Sequence, residues 1–291
     1  MLKLKRRSVL GWALTLLSLA CVLGGCTTGS GVGQAAFAAP GNHPGTEQSD
    51  LKLTILYDNN PHTKGLEIRW GFSCLVQGPE QTIIFDVGGE GSVLLGNMAK
   101  LGVDPQVVDV IVLSHVHHDH IGGLSDFLRR NSEVKVYMPK SLPQSVKQGV
   151  STAGAELIEV DQSLRICPNV YSTGELGGAL KEQSLVVKTS RGPVVVTGCA
   201  HPGVVTIVKR AKQMVGRDVH LVVGGFHLSQ SSASQINRVI RGLQTQGVEK
   251  AAPCHCSGDL ARQLFRQAYG ENFILVGVGK TISIAGAFAG P

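Results

Sequence analysis

The sequence predicts an α/β protein of the four-layer α+β kind, with two mixed sheets packed face to face and helices covering their outer surfaces. Three observations carry this. Short apolar, β-branched runs recur from Leu53 onward, each closed by turn or breaker residues. Between the later runs lie segments whose apolar positions recur at three and four residues, which is the helical period. Histidines are concentrated where several of these runs end. Strands dominate the early part and alternate with helices afterwards, a mixture that suits stacked sheets.

The chain has 291 residues, and the first of them do not read as fold. Lys3, Lys5, Arg6 and Arg7 precede the apolar stretch Val9 to Leu23, the pattern of an export leader. Leu23-Gly24-Gly25-Cys26 resembles a lipobox, which predicts a leader over residues 1–25, a lipidated Cys26 and a membrane anchor. Ala36-Phe37-Ala38 offers a rival cut that would release a soluble protein. Lys5 to Leu10 also resembles a twin-arginine signal, although Lys5 stands where Ser or Thr is usual. The expectation is an exported periplasmic or cell-surface lipoprotein. Residues 26–50 read as a flexible tether rich in Gly, Ala, Ser, Thr and Pro, and residues 51–291 as one domain.

Charge and cysteine usage narrow the function. The formal net charge of +6 falls to +2 once the four basic leader residues are set aside, too little for a polyanion partner, so nucleic acid is not expected. Cys74, Cys167, Cys199, Cys254 and Cys256 follow Cys26, an odd number in a core large enough to need no staples, so no disulfide framework is expected.

In order, strands are predicted at Leu53–Tyr57, Phe72–Val76, Thr82–Phe85, Val107–Leu113, Val134–Met138, Leu157–Val160, Leu185–Val187, Val194–Val196, Leu221–Val223 and Phe273–Val276. Helices are predicted at Val204–Val215, Ser234–Leu243 and Gly258–Tyr269. The run ending at Leu113 leads into Ser114-His115-Val116-His117-His118-Asp119-His120-Ile121-Gly122-Gly123. Imidazole and carboxylate suit zinc, manganese or iron, and four donors in six residues exceed what one ion requires. Alternate residues of an extended segment point the same way, so His115 and His117 can share one ion while Asp119 and His120, past the bend, reach a second. Further runs end in Cys199-Ala200-His201, Phe226-His227 and Cys254-His255-Cys256, so four strand ends converge on one site. His118 alternates away from this set; His43 and His220 read as plain residues, and His62 as a residue of an early loop.

The run His115, His117, Asp119, His120 resembles the HxHxDH signature of the metallo-β-lactamase superfamily. That resemblance implies an αββα sandwich holding one or two metals, here two divalent ions with zinc foremost and manganese or iron as alternatives. It also implies a metal-bound hydroxide attacking an ester, phosphoester, lactone or amide-type bond of a small molecule. Asp86, in Ile84-Phe85-Asp86-Val87-Gly88, resembles the superfamily's early Asp, which orients ligands. Trp70-Gly71-Phe72-Ser73, Gly198-Cys199-Ala200-His201, Gly224-Gly225-Phe226-His227 and Pro253-Cys254-His255-Cys256 look like the dihydropterin-ribofuranosylaminobenzene-phosphate synthase-like branch.

Two departures from the superfamily pattern matter. Glu175 stands where many members have a third histidine, and Cys199 where they have a bridging Asp. The resemblance then implies that His201 joins His115 and His117, and that His255 joins Asp119 and His120. Cys199 or Glu175 remain alternative bridges. Asp119 and His227 are the expected catalytic residues, His227 either as a further ligand or as a substrate-contacting acid. The alternatives are a transferase or synthase acting on a pterin-like or phosphorylated small molecule, with Gly88 to Ser92 as a weak anion site, and a non-catalytic metal-binding protein. Asn59–Glu67 and Gly174–Gln183 are the expected substrate loops, and the oligomeric state is left open.

Overall fold

β1 (Ser49–Tyr57) pairs with a neighbour on each side, and the first sheet grows outward from it. The computed structural model describes residues 49–78 and 80–288. After β1 come β2 (Ser73–Gln77), β3 (Thr82–Phe85), helix α1 (Gly91–Lys100), β4 (Val110–Val112), short helices α2 (His118–Ile121) and α3 (Leu124–Leu128), β5 (Lys135–Pro139), α4 (Gln144–Ala153) and β6 (Glu156–Val160). The second half holds β7 (Leu164–Cys167), β8 (Val170–Ser172), β9 (Leu185–Val187), β10 (Val194–Thr197), α5 (Val204–Val215), β11 (Leu221–Gly225), α6 (Ala233–Thr245), β12 (Lys250–Cys254), α7 (Asp259–Tyr269) and β13 (Thr281–Phe288). The first sheet runs β13-β1-β2-β3-β4-β5-β6, and the second β12-β11-β10-β9-β8-β7. Strands β3 to β6 and β10 to β12 are parallel to their neighbours within each group; the remaining pairings are antiparallel.

Apolar runs without polar alternation are buried on both faces, and here each run is split between two cores. Leu53, Ile55, Ile83, Phe85, Val110 and Val112 meet Leu185, Val187, Val194, Val196, Leu221 and Val223 between the sheets. The intervening Ile84, Ile111 and Val136 face outward and pack with residues of α1, α3 and α4. Val195, Val222 and Ala251 do the same against α5, α6 and α7. Full burial of one such side chain contributes about 1.5–3 kcal/mol. The result is the expected helix-sheet-sheet-helix order.

The predicted helices form, and α6 gains a capping box between Ser232 and Gln235. Several elements differ from expectation. Phe273–Val276 forms no strand: Phe273 makes one bridge to Ala251, and the chain passes on to β13. β4 is shorter than the run that predicts it, because Pro105–Val107 form a 3₁₀ turn in which Asp104 accepts from the Gln106 amide. Helices α1 to α4 interrupt the early half, which was expected to be mostly strand.

The expected leader, the tether up to residue 48 and the lipid anchor at Cys26 lie outside the described residues. Ser49 and Asp50, expected in the tether, are strand residues. Among the described residues no helix is long and apolar enough to cross a membrane. The expectation of a signal peptide and a membrane-anchored lipoprotein has no support in the structure and is withdrawn.

Candidate metal centre

Each predicted site residue follows the carboxyl end of a strand in a parallel pair, where open α/β sheets expose their loops. Asp86 leaves β3 at φ 58, a left-handed conformation that costs a non-glycine residue about 1–3 kcal/mol. Its buried carboxylate organises the loop after β4. Oδ1 accepts from the Ser114 amide at 2.6 Å, and Oδ2 accepts from Ser114 Oγ at 2.6 Å and His120 Nδ1 at 2.7 Å. Because Ser114 Oγ spends its proton on Asp86, it accepts from His115 Nδ1 at 2.8 Å. Both His115 and His120 therefore turn an Nε2 lone pair inward.

The loop after β1 does the same for His255. Asn59 Oδ1 lies 2.9 Å from His255 Nδ1, Asn59 Nδ2 donates to the His255 carbonyl at 3.2 Å, and the His255 amide donates to buried Asp58 Oδ2 at 3.2 Å. His255 Nε2 is left buried without a hydrogen-bond partner, 3.3 Å from Asp119 Oδ2. On the opposite wall, buried Glu182 accepts the amides of Cys199 (3.1 Å), Ala200 (2.8 Å) and His201 (2.8 Å). That grip fixes the turn delivering His201, whose Nε2 also has no partner. Ala200, His227 and His255 adopt φ of 58, 52 and 48°, so the site concentrates strained backbone.

Two donor sets result. His115, His117 and His201 bring donor atoms within 4.8 Å of one another, and so do Asp119, His120 and His255. Cys199 forms a group with His115 and His120, another with His255 and Cys256, and a third with His201 and His227. The expected residues are thus gathered in one place. Glu175 is not: its carboxylate accepts from the Ser141 amide at 2.7 Å and belongs to none of these groups. His118 is exposed, and His62 is exposed with its ring nitrogen 3.3 Å from Thr63 Oγ1. His220 is held by Glu249 at 2.8 Å.

The electrostatics match this geometry. Burial and the neighbouring His120 and His201 push His115 far down, and burial with His227 and His117 lowers His201 to about 4, so both are neutral donors at pH 7. Burial works to raise Asp119, but its contacts with His255 and His120 override it and hold the carboxyl below its usual range. In His120 burial is outweighed by Asp86, and the imidazole is raised. His227 is raised by its hydrogen bond with Cys256. In the buried thiol pair, their mutual hydrogen bond and burial raise Cys199, while Cys199 and, against burial, His227 lower Cys256.

The donor set fits divalent metal. His115 Nε2 and His117 Nδ1 lie 3.1 Å apart, and His255 Nε2 faces a carboxylate oxygen, an arrangement of donor atoms that a cation would satisfy. Glu182, Asp58 and Asn59 escaped the sequence reading. Glu182 stands in a polar loop with no spacing that marks it, and Asp58 and Asn59 reach the site through a partner almost two hundred residues away. The one signal was the cluster of polar residues directly after the β1 run.

A profile of the metallo-beta-lactamase superfamily matches residues 71–208. The 7,8-dihydropterin-6-methyl-4-(beta-D-ribofuranosyl)-aminobenzene-5'-phosphate synthase of Methanocaldococcus jannaschii is 27% identical over 261 residues, covering 73% of this chain and 89% of that protein. The crystal structure of a metal-dependent hydrolase of the β-lactamase superfamily matches with a TM-score of 0.69 and 26% identity, over 81% of this chain and 99% of its own. A diphosphatase of the PhnP family shares the fold, with a TM-score of 0.56 and 14% identity over 82% of this chain and 99% of its own.

Proposed function

This chain belongs to the metallo-β-lactamase superfamily, and from that premise we propose that it is a metal-dependent hydrolase of an ester, phosphoester, lactone or amide-type bond in a small molecule. The observation that carries the reading is the pair of adjoining donor sets, His115, His117 and His201 beside Asp119, His120 and His255, with unpartnered nitrogens on His201 and His255. Each set would hold one divalent ion, zinc foremost. Bound divalent ions supply Lewis acidity, polarising a scissile oxygen and acidifying water to about pKa 7.

The chain's own residues do the rest. Asp119 is held ionised and is only partly covered, so it can orient water and accept its proton. His227 lies exposed on the rim with its pKa raised, which suits donation of a proton to a leaving group. Trp70 is 56% exposed with its ring 4.9 Å from that of His255, and offers a small organic substrate an apolar lip.

The second reading, a synthase acting on a phosphorylated substrate, draws on the archaeal relative's name. The Gly88–Ser92 turn gives it little help, because the Asp126 side chain lies against Gly91 at the start of α1 and disfavours an anion there. The test is elemental analysis of the purified protein with a panel of phosphoesters, lactones, thioesters and β-lactams, before and after chelation and metal return. Hydrolysis lost to chelator and restored by metal is expected, and Asp119→Ala should lower kcat by about 10²–10⁴-fold while the protein stays folded. Hydrolysis indifferent to chelation sinks the proposal, as does a panel that yields only condensation products.

A further inference from the structure

We propose that the chain carries a second small-molecule site, remote from the metal centre, for a hydroxy carboxylate with a short apolar body. A cavity of about 220 Å³ opens between the edge strands β12 and β13 and is lined by Arg191, His220 and Lys250. Its apolar wall is formed by Ile274, Ile282 and Ile284. Lys250 begins β12, His220 directly precedes β11, and Arg191 lies in the turn before β10, so the cavity sits at the amino ends of these strands. His201 and His255 follow the carboxyl ends of β10 and β12. Strand β12 is five residues long, and at about 3.3 Å per residue its ends are roughly 16 Å apart, so one small ligand cannot touch both sites.

Each wall selects a different part of the ligand. The neighbouring carboxylates are committed elsewhere, Asp218 to Lys212 at 2.6 Å, Asp50 to the Gly286 amide at 3.0 Å and Glu249 to His220 at 2.8 Å, which leaves Arg191 and Lys250 without an ion pair among the described residues. Two such cations attract an anion, and a planar carboxylate suits the guanidinium fork of Arg191. His220, which reads as a plain residue in the sequence, is only 3% exposed. An ionised carboxylate only accepts, so Nδ1 donates to Glu249, and this tautomer leaves Nε2 as an acceptor with no partner among the described residues. A ligand hydroxyl satisfies that nitrogen. The three isoleucines add apolar surface that an inorganic anion leaves uncovered, and the volume falls below the ~300 Å³ at which drug-sized pockets begin. The occupant is therefore small, anionic at one end and apolar at the other.

The test is isothermal titration of the full, metal-loaded chain with α-hydroxyisocaproate as the probe. Saturable binding is expected, weakened at least ~10-fold in the Arg191→Gln/Lys250→Gln double variant, whose fold circular dichroism checks. Isocaproate, which lacks the hydroxyl, should bind roughly 3–10-fold more weakly, a comparison that needs no variant. Isohexanol, which lacks the carboxylate, and inorganic phosphate, which lacks the apolar body, should bind more weakly than either acid. Hydroxy acids also coordinate metal ions, so the titration is repeated on chelator-treated protein, where the affinity should persist. Absence of binding overturns the proposal, as does binding that survives the double variant or vanishes with the metal. Phosphate or alcohol binding as tightly as the hydroxy acid refutes the assigned ligand class.

Discussion

Glu182 is the residue on which one wall of the site hangs, and its chemistry makes it sensitive to pH. Burial pushes its carboxyl up to about 7, against the three amides that favour the charged form. A folded pKa above the ordinary value of 4.5 means that its contribution to stability is full below about 4.5 and is lost as pH rises through about 7. In urea unfolding of chelator-treated protein, wild type should therefore lose stability relative to Glu182→Gln from pH 5 to pH 8. Glu182→Gln, which lacks this slope, should start less stable by about 1–3 kcal/mol because its amide NH₂ faces a backbone donor. A gap between the two proteins that widens with pH would refute the assignment. At this scale the sequence was legible for donors and silent about what holds them. His115, His117, Asp119 and His120 share a local spacing that chemistry explains, and His201 and His255 end recognisable strands. Glu182, Asp58 and Asn59 act through backbone amides or a distant ring, a relation that only the folded chain creates.

Among the elements, the end of β10 is closely packed. A methyl group on Gly198 would collide with Ser114 Oγ and approach Asp86 Oδ2 to 3.1 Å, disturbing the two residues that orient His115 and His120. Gly198→Ala should cost about 1–3 kcal/mol by overpacking and weaken metal binding about 10–100-fold through the displaced hydrogen bonds. Calorimetric titration against wild type, with circular dichroism to establish folding, decides this; unchanged affinity would mean that the strand end adapts. Helices with a full apolar stripe, such as α5 with Val204, Ile207, Val208 and Ala211, were legible from period alone. Strand β13 was not, because its alternating exposed positions and small residues make a weak pattern until β1 supplies its partner. Phe273–Val276 shows the converse: an apolar run reads as a strand, but only one bridge forms beside it.

At the level of the whole molecule, the donors come from both sheets. His115, His117, Asp119 and His120 follow β4 of the first, whereas His201 and His255 follow β10 and β12 of the second. An ion held by both groups of donors would thus staple the layers together. Ligand that binds only the folded state adds about 2.7 kcal/mol at a hundredfold excess over Kd, and each kcal/mol raises Tm by about 2–4 °C in a domain of this size. Melting should shift upward by about 5–10 °C with saturating zinc, and His255→Ala should lose most of the shift; a melt unmoved by metal would place the ion outside this interlayer position. The position of His255 also dictates an order of events during biosynthesis. Its ring is held by Asn59, after the first described strand, yet it leaves the ribosome behind twelve of the thirteen strands. A nascent chain can present the four-residue cluster early, but its second pocket exists only once the two extremities of the domain have met. Metal therefore cannot act as an early folding template at that pocket, and its acquisition reports that the protein has been completed.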